Sequence, residues 1–176
     1  VLTLGNGATY RGASITGTGA GPAPLIRAVD AALAGANLGN AALCFGEGDL
    51  DGGGAVLSAT PTLDPAKVAG KIVVCDRGAS SRVDKSRAVS VAGGVGMVLT
   101  NGNGNSLDAD VHVIPSVHLQ VTDRPAVHAY AQTAGATATI GAASVSNGGT
   151  APLTAGFSSR GPLVAGGGDL LKPDLI

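Results

Sequence analysis

The sequence has few aromatic and few charged residues. Among 176 residues there are no tryptophans, two tyrosines and two phenylalanines, and 13% of the residues are charged. Lys and Arg number 11 against 12 Asp and Glu, so the chain lacks the basic excess that attracts nucleic acid or an anionic membrane surface. The shortage of rings also removes the stacking platforms that single-stranded nucleic acids use. Both shortages argue against nucleic-acid and membrane partners.

Long apolar runs and a signal peptide are also missing. A membrane-spanning helix needs about 20 consecutive apolar residues, and no run approaches that length. The sequence begins at Val1 and stops at Ile176 within an apolar stretch. We therefore expect a piece of a longer protein, whose targeting signals lie elsewhere. We also expect unpaired strand edges in residues 1–12 and 151–176, which would be disordered or pair with another copy.

Glycine, by contrast, is abundant, with 29 residues, which predicts many turns and not a helix bundle. The most regular pattern lies between residues 70 and 101. A β-branched run at 72–75 is followed by turn residues and by a helix that Ser81 caps. Gly93-Gly94 ends the helix, and residues 95–99 form a second apolar strand. Two strands joined through one helix predict a β-α-β unit with parallel pairing.

Weaker patterns predict further elements on both sides of this unit. They are a hairpin at Gly5-Asn6-Gly7, a strand at 22–29, a short helix at 37–42, a helix with Asp64 as cap and Pro65 first, a strand at 111–121 interrupted by Pro115, a helix capped by Asp123 and ended by Gly135, and a strand at 136–140.

Three motifs occur in the order in which one protein family carries them. Residues 70–101 contain GKIVVCDRG, then RV-x-K, then AGG-x-GMVLTN; HVIPSVHLQV follows at 112–121, and FSSRGPLVAGGGDLLKPDLI at 157–176. The first closely resembles the protease-associated (PA) domain inserted in subtilisin-like serine proteases. The second resembles the strand that follows in that family, and the third resembles the protease segment that resumes after the insert.

The resemblance implies a fold and a division of the chain. The fold class is α/β, a PA-domain-like swivelling β/β/α fold with two strand layers and helices on one side. Residues 1–20 would be flanking strands from the protease core, residues 21–146 the PA domain, and residues 147–176 a linker and the returning protease segment.

Cys44 and Cys75 are the only cysteines. The residues themselves leave two interpretations open: two buried small hydrophobic side chains, or one disulfide that closes a glycine-containing loop. The resemblance to secreted proteases, in which disulfides persist, favours the disulfide. A zinc site is disfavoured because the three histidines lie elsewhere and no C-x-x-C occurs.

The resemblance also calls for a search for catalytic groups, because a serine nucleophile needs a His base and a carboxylate in reach. The family's GTSMA-type, HGT-type and Asp-Ser/Thr-Gly motifs are absent from the sequence, and its oxyanion-hole Asn precedes the insert. Ser158 and Ser159 are interpreted as sheet residues. We therefore assign no catalytic, metal-binding or cofactor-binding residue, and expect no cofactor.

The favoured function is a non-catalytic PA domain of a secreted, extracellular subtilisin-like serine endopeptidase. It would modulate substrate access or selection, or mediate protein–protein contacts. Its partners would be the parent catalytic domain, a peptide or protein substrate, and a second copy in a homodimer. The irregular loops 45–59 and 101–111 are the candidate contact regions, and the Asp-rich stretch at 48–54 lacks the spacing of a helix–loop–helix calcium site.

Two other functions stay open. One is a stand-alone PA-type interaction module, as in receptor and sorting proteins, although the segment at 157–176 argues against it. The other is a small enzyme with a site around His112 and His118. These residues lie six apart, so that they would face the same side of one regular strand; surface or half-buried histidines are the favoured interpretation.

Overall fold

The computed structural model describes residues 1–104 and 106–145. The elements in chain order are β1 (Leu2–Leu4), β2 (Thr9–Tyr10), β3 (Ala20–Arg27), α1 (Leu38–Ala42), α2 (Pro65–Val68), β4 (Ile72–Asp76), α3 (Arg82–Val91), β5 (Gly96–Thr100), β6 (Ser116–Leu119), α4 (Arg124–Ala131) and β7 (Thr137–Ile140). The predicted segment at 147–176, with Ser158 and Ser159, lies outside the described residues.

The described strands form one mixed sheet in the order β2-β1-β7-β3-β4-β5-β6. Strands β3, β4, β5 and β6 are parallel to one another, whereas β7 is antiparallel to both β1 and β3. The predicted α/β class is confirmed. The expectation of unpaired edges in residues 1–12 is wrong for β1, because Leu2 pairs with Ile140 of β7 and with Tyr10 of β2. The predicted domain boundaries stay predictions.

The predicted β-α-β unit is confirmed. β4 and β5 pair in parallel, with Val74 opposite Val98, and α3 connects them. The Ser81 hydroxyl accepts a hydrogen bond from the Val83 N–H at 3.3 Å, which supplies a partner to one of the free N–H groups at the start of the helix. Gly93 follows the helix with a φ of +84°, a conformation that glycine adopts without steric cost.

The predicted strand at 111–121 is too long. β6 begins only at Ser116, directly after Pro115, because proline has no N–H to donate to a strand ladder. Val111 and Val113 before it are exposed. His112 therefore does not share a strand with His118. The predicted cap at Asp123 is also incomplete, since α4 begins there without a side-chain hydrogen bond.

The parallel strands are buried on both faces, which is why their sequences are continuous apolar runs. Residues of one face, such as Ile72 and Val98, pack with β1, β7 and α4. Residues of the other face, such as Val73 and Leu99, pack with α2 and α3. Each fully buried Val or Leu contributes roughly 1.5–3 kcal/mol. Because the centre of the sheet is apolar, the polar groups lie at the carboxyl ends of β4 and β5.

A disulfide joins Cys44 to Cys75, whose Cα atoms lie 5.6 Å apart. Cys75 belongs to β4, whereas Cys44 follows α1 with a φ of +52°. Both residues are fully buried. Closing a loop with a sequence separation of 31 stabilises the fold by about 3–4 kcal/mol in the chain-entropy model. The bridge therefore fastens the start of the 45–59 loop to the sheet.

The helices in the described part of the chain are short. None of them has the length and apolar character that crossing a lipid bilayer requires.

Candidate functional site

A cleft of about 540 Å³ opens where β4 ends and α3 begins. Its lining combines the turn at residues 77–82 with residues 50–52 and with Asp110. Both loops that the sequence singles out, 45–59 and 101–111, thus contribute to one cleft. Ligands of parallel sheets bind in crevices outside the carboxyl ends of the strands, and this cleft has that position. We call it the β4–α3 cleft.

Two arginines, Arg77 after β4 and Arg82 at the start of α3, are held by groups of the 101–111 loop. Arg82 donates to both carboxylate oxygens of Asp110, through Nε and, at 3.0 Å, through Nη2. Its Nη1 lies 3.1 Å from Asp108, and Arg77 donates to the Ser106 carbonyl at 2.9 Å. Bidentate arginine–carboxylate pairs are strong and directional. The hydrogen bonds from Arg82 lower the pKa of Asp110 below its ordinary value.

His118 lies beneath this network and is 2% exposed. Its Nε2 is 2.7 Å from the Asn101 amide oxygen, and its Nδ1 is 3.3 Å from the Asp108 backbone nitrogen. His112 instead contacts Ser86, with 3.0 Å between Nδ1 and Oγ. The two imidazoles therefore have separate partners. Burial lowers the pKa of both histidines, which favours neutral rings at neutral pH.

Ser80 is the residue of the cleft lining with an unused polar group. It is 5% exposed, and within the described part of the chain its hydroxyl has no hydrogen-bond partner. A buried hydroxyl without a partner costs about 1–3 kcal/mol. A ligand can satisfy this hydroxyl only when the turn around it opens, because the oxygen is buried.

A second polar cluster surrounds Asp76 at the end of β4. Arg124 donates to both Asp76 oxygens, at 2.7 and 2.8 Å, and the Thr100 hydroxyl donates at 2.8 Å. His128 Nε2 lies 3.2 Å from the same Asp76 oxygen. Burial of Asp76 acts to raise its pKa, but the hydrogen bonds from Arg124, His128 and Thr100 outweigh this effect and lower the pKa below its ordinary value.

Carboxylate, imidazole and hydroxyl in contact resemble the parts of a nucleophilic triad, but the geometry is different. A triad needs one imidazole nitrogen on the hydroxyl and the other on the carboxylate. Here the same His128 Nε2 faces both Thr100, at 3.2 Å, and Asp76. Thr100 is also fully buried. The cluster thus links α4 to the ends of β4 and β5, and its geometry does not activate Thr100 as a nucleophile.

Two aspartates of the 45–59 loop already have partners within the protein. Asp49 is buried, accepts from the Gly46 N–H at 2.7 Å and pairs with Arg87 at 2.9 Å. Asp51 accepts from the N–H groups of Gly53 and Ala55, at 2.8 and 2.9 Å. Across the described residues, no group of three or more His, Cys, Asp or Glu side chains is arranged to hold a metal ion.

An apolar groove of about 390 Å³ lies between α3 and the chain around Phe45 and Leu63. Lys85 is fully buried beside Phe45, donating to the Leu43 carbonyl at 2.6 Å, with Nζ 4.9 Å from the ring centre. Burial lowers the pKa of Lys85 to about 8. The cation therefore holds the segment that carries Cys44 and Phe45.

Sequence reasoning found the loops of the cleft but missed the groups that organise it. Arg82, Asp108 and Ser80 carried no distinctive local signal. The spacing of Asp108 and Asp110 on an irregular segment, with arginines after β4, was the one available hint. Their pairing depends on contacts between residues about 28 positions apart, which no local pattern encodes.

A family model described as the PA domain matches residues 23–127. Among curated proteins of Arabidopsis thaliana, subtilisin-like protease SBT5.3 is 39% identical over 99% of this chain and 22% of its own length. Subtilisin-like protease SBT1.7 is 38% identical over 98% of this chain and 21% of its own length. Subtilisin-like protease SBT1.6 is 45% identical over 65% of this chain and 15% of its own length. The chain spans about a fifth of the length of the first two relatives.

Proposed function

The chain belongs to the PA-domain family, and from this premise we propose that it is the non-catalytic accessory domain of a secreted, extracellular subtilisin-like serine endopeptidase. The β4–α3 cleft binds an extended segment of a peptide or protein substrate and so modulates which substrates reach the parent catalytic domain. In this proposal residues 21–146 form the PA domain, and residues 1–20 and 147–176 belong to the flanking protease. The same surface is available to a second copy in a homodimer.

The observation that carries the proposal is the convergence of both loops on one cleft with a free polar group. Irregular loops on a rigid sheet commonly carry binding contacts. The Ser80 hydroxyl can donate to a peptide carbonyl or accept from a peptide N–H. Leu50, which is 47% exposed at the same cleft, offers apolar contact to a side chain of that peptide.

The electrostatics of the cleft support recognition by shape and hydrogen bonds. Arg77 and Arg82 are matched by Asp108 and Asp110, so this network is close to neutral. A module beside a catalytic cleft acts by altering which chains reach it, and such a role needs no reactive group of its own. The arrangement of Asp76, Thr100 and His128 is consistent with this role.

The length of the alignments supports an inserted domain over a stand-alone module. The PA-domain match covers residues 23–127, but two protease relatives align over 98% and 99% of the chain. The similarity therefore extends into the residues on both sides of the PA domain, which a free module would have no reason to carry. A reading frame in which GTSMA-type coding sequence follows residue 176 is expected; its absence would favour the stand-alone module.

Peptide binding can be measured with reduced, carboxymethylated lactalbumin as an unfolded protein probe. We expect its addition to shift the backbone NMR resonances of residues 50–52 and 77–82. Ser80→Ala should raise the dissociation constant by roughly 3- to 10-fold, as expected for one lost hydrogen bond. Ser58→Ala is the matched control, because the Ser58 hydroxyl bonds only its own loop, at the Thr60 carbonyl. Shifts confined to other residues would contradict the proposal.

The absence of catalysis in this chain has its own test. We expect no labelling of the chain by a serine-directed fluorophosphonate and no peptidase activity. Stoichiometric labelling would overturn the assignment, whatever the outcome of the binding experiment.

A further inference from the structure

His118 holds two separated points of the 101–111 loop through its two ring nitrogens. Arg77 donates to the Asn101 amide oxygen at 3.4 Å, so this oxygen faces donors, and His118 Nε2, 2.7 Å away, must donate to it as well. The neutral ring then carries no proton on Nδ1. Nδ1 is free to accept the Asp108 N–H, 3.3 Å away. The neutral imidazole thus links Asn101, at the end of β5, to Asp108.

The charged and titratable groups around His118 come from three elements. They are Arg77 at the end of β4, Arg82 of α3, and Asp108, Asp110 and His112 of the segment before β6. Asp108 already faces two guanidinium groups, at 3.9 Å from Arg77 and 3.1 Å from Arg82. The Asp108 carboxylate therefore already pairs with two cations when His118 is neutral.

We infer that His118 is an acid-responsive positioning residue, whose protonation loosens residues 106–110 from the sheet. The added proton occupies Nδ1, so the Asp108 N–H loses its acceptor and a third cation joins Arg77 and Arg82. The Asp108 carbonyl oxygen, 3.2 Å from Nδ1, offsets part of this cost. Asp110 lines the β4–α3 cleft, so the loosened segment changes the cleft.

The direction of the pH effect follows from burial. Burial lowers the pKa of His118 from its ordinary value of 6.5, so the released form binds the proton better than the closed form. The closed arrangement is fully stable above about pH 6.5 and loses stability as the pH falls through the lowered pKa. The pKa of His112, also lowered by burial, adds an effect of the same sign on the neighbouring Arg82–Asp110 pair.

Amide hydrogen exchange of the whole chain tests the inference without any peptide. Because burial lowers the pKa of His118, the protection factor of the Asp108 amide should fall several-fold between about pH 7 and about pH 5, after correction for intrinsic exchange. In His118→Gln, which keeps a donor but cannot take up a proton, most of this fall should be lost, and any remainder comes from His112. His128→Gln, which alters an imidazole of the Asp76 cluster, should retain the fall.

The inference is overturned if wild-type protection of Asp108 is the same at both pH values, or if His118→Gln shows the full wild-type fall. Should that variant fail to fold, the NMR titration of His118 in the wild-type chain decides, since a midpoint at or above about 6.5 contradicts the inference. The consequence for substrate recognition rests on the proposed function. Lack of lactalbumin binding at both pH values would reject that function and leave the release of residues 106–110 intact.

Discussion

Two carboxylate clusters at the same edge of the sheet are built in different ways. Asp76 is the last residue of the buried strand β4. It accepts two hydrogen bonds from Arg124 of α4, a helix that packs on the sheet. Asp108 and Asp110 lie on a segment without regular structure and are held by Arg82 of α3. The first cluster joins two elements that the core already fixes, whereas the second cluster is one of the contacts that hold a segment without regular structure.

The disulfide lies next to the Asp76 cluster, since Cys75 precedes Asp76 on β4. Its removal should have the largest effect on stability. Replacing Cys44 and Cys75 together by Ala should lower the free energy of unfolding by about 3–4 kcal/mol, because the unfolded chain regains loop entropy. Urea denaturation measures the loss. The wild-type chain under a dithiol reductant is the control and should show a similar loss; equal stability of oxidised and reduced chains would contradict the prediction.

Breaking each carboxylate cluster in turn tests the comparison directly. Asp76→Asn should cost about 2–3 kcal/mol, because it leaves Arg124 partly buried beside a neutral amide. Asp110→Asn should cost about 1 kcal/mol or less, because its segment can relax into solvent. Urea denaturation of both variants gives the difference. Equal costs would mean that the two clusters are anchored alike.

Acid titration sharpens the same contrast. The pKa of Asp76 is lowered from its ordinary 3.8, so its stabilisation is complete above about pH 4 and is lost as the pH falls towards the lowered pKa. Unfolding free energies measured from about pH 6 to about pH 2.5 should therefore fall less steeply below pH 4 in Asp76→Asn than in the wild type. Asp123→Asn is the control, because this carboxylate makes no cap hydrogen bond, and it should keep the wild-type slope.

Near neutral pH, the smallest effect concerns Lys85, which lies between the segment that carries Cys44 and the apolar groove. Its pKa is lowered to about 8 by burial, from 10.5. The unfolded chain binds this proton more tightly, so stability should rise as the pH increases from about 8 to about 10.5. Lys85→Met should remove this rise and change stability near neutral pH by about 1 kcal/mol or less, because a desolvated charge is replaced by an apolar side chain. Lys71→Met, at an incompletely buried position, should keep the rise.

Local chemistry made much of the fold predictable. The cap at Ser81, the proline-initiated helix after Asp64 and the glycine after α3 were all readable, because each depends on neighbours within a few positions. The start of β6 at Ser116 was not predictable. Val111 and Val113 alternate with other residues as in a strand, but the fold leaves both exposed. Local pattern alone cannot tell an apolar side chain that packs from one that does not.

By itself, the sequence determined the central β-α-β unit, the α/β class and, through its motif order, the PA family, since backbone periodicity and turn chemistry act over short spans. Only the tertiary structure decided which groups meet: both loops at one cleft, and His118 between Asn101 and Asp108. It also left Ser80 without a partner among the described residues. The contacts are between distant residues brought together at the carboxyl ends of parallel strands. Their energies depend on burial and on neighbouring charge, which exist only once the chain is folded.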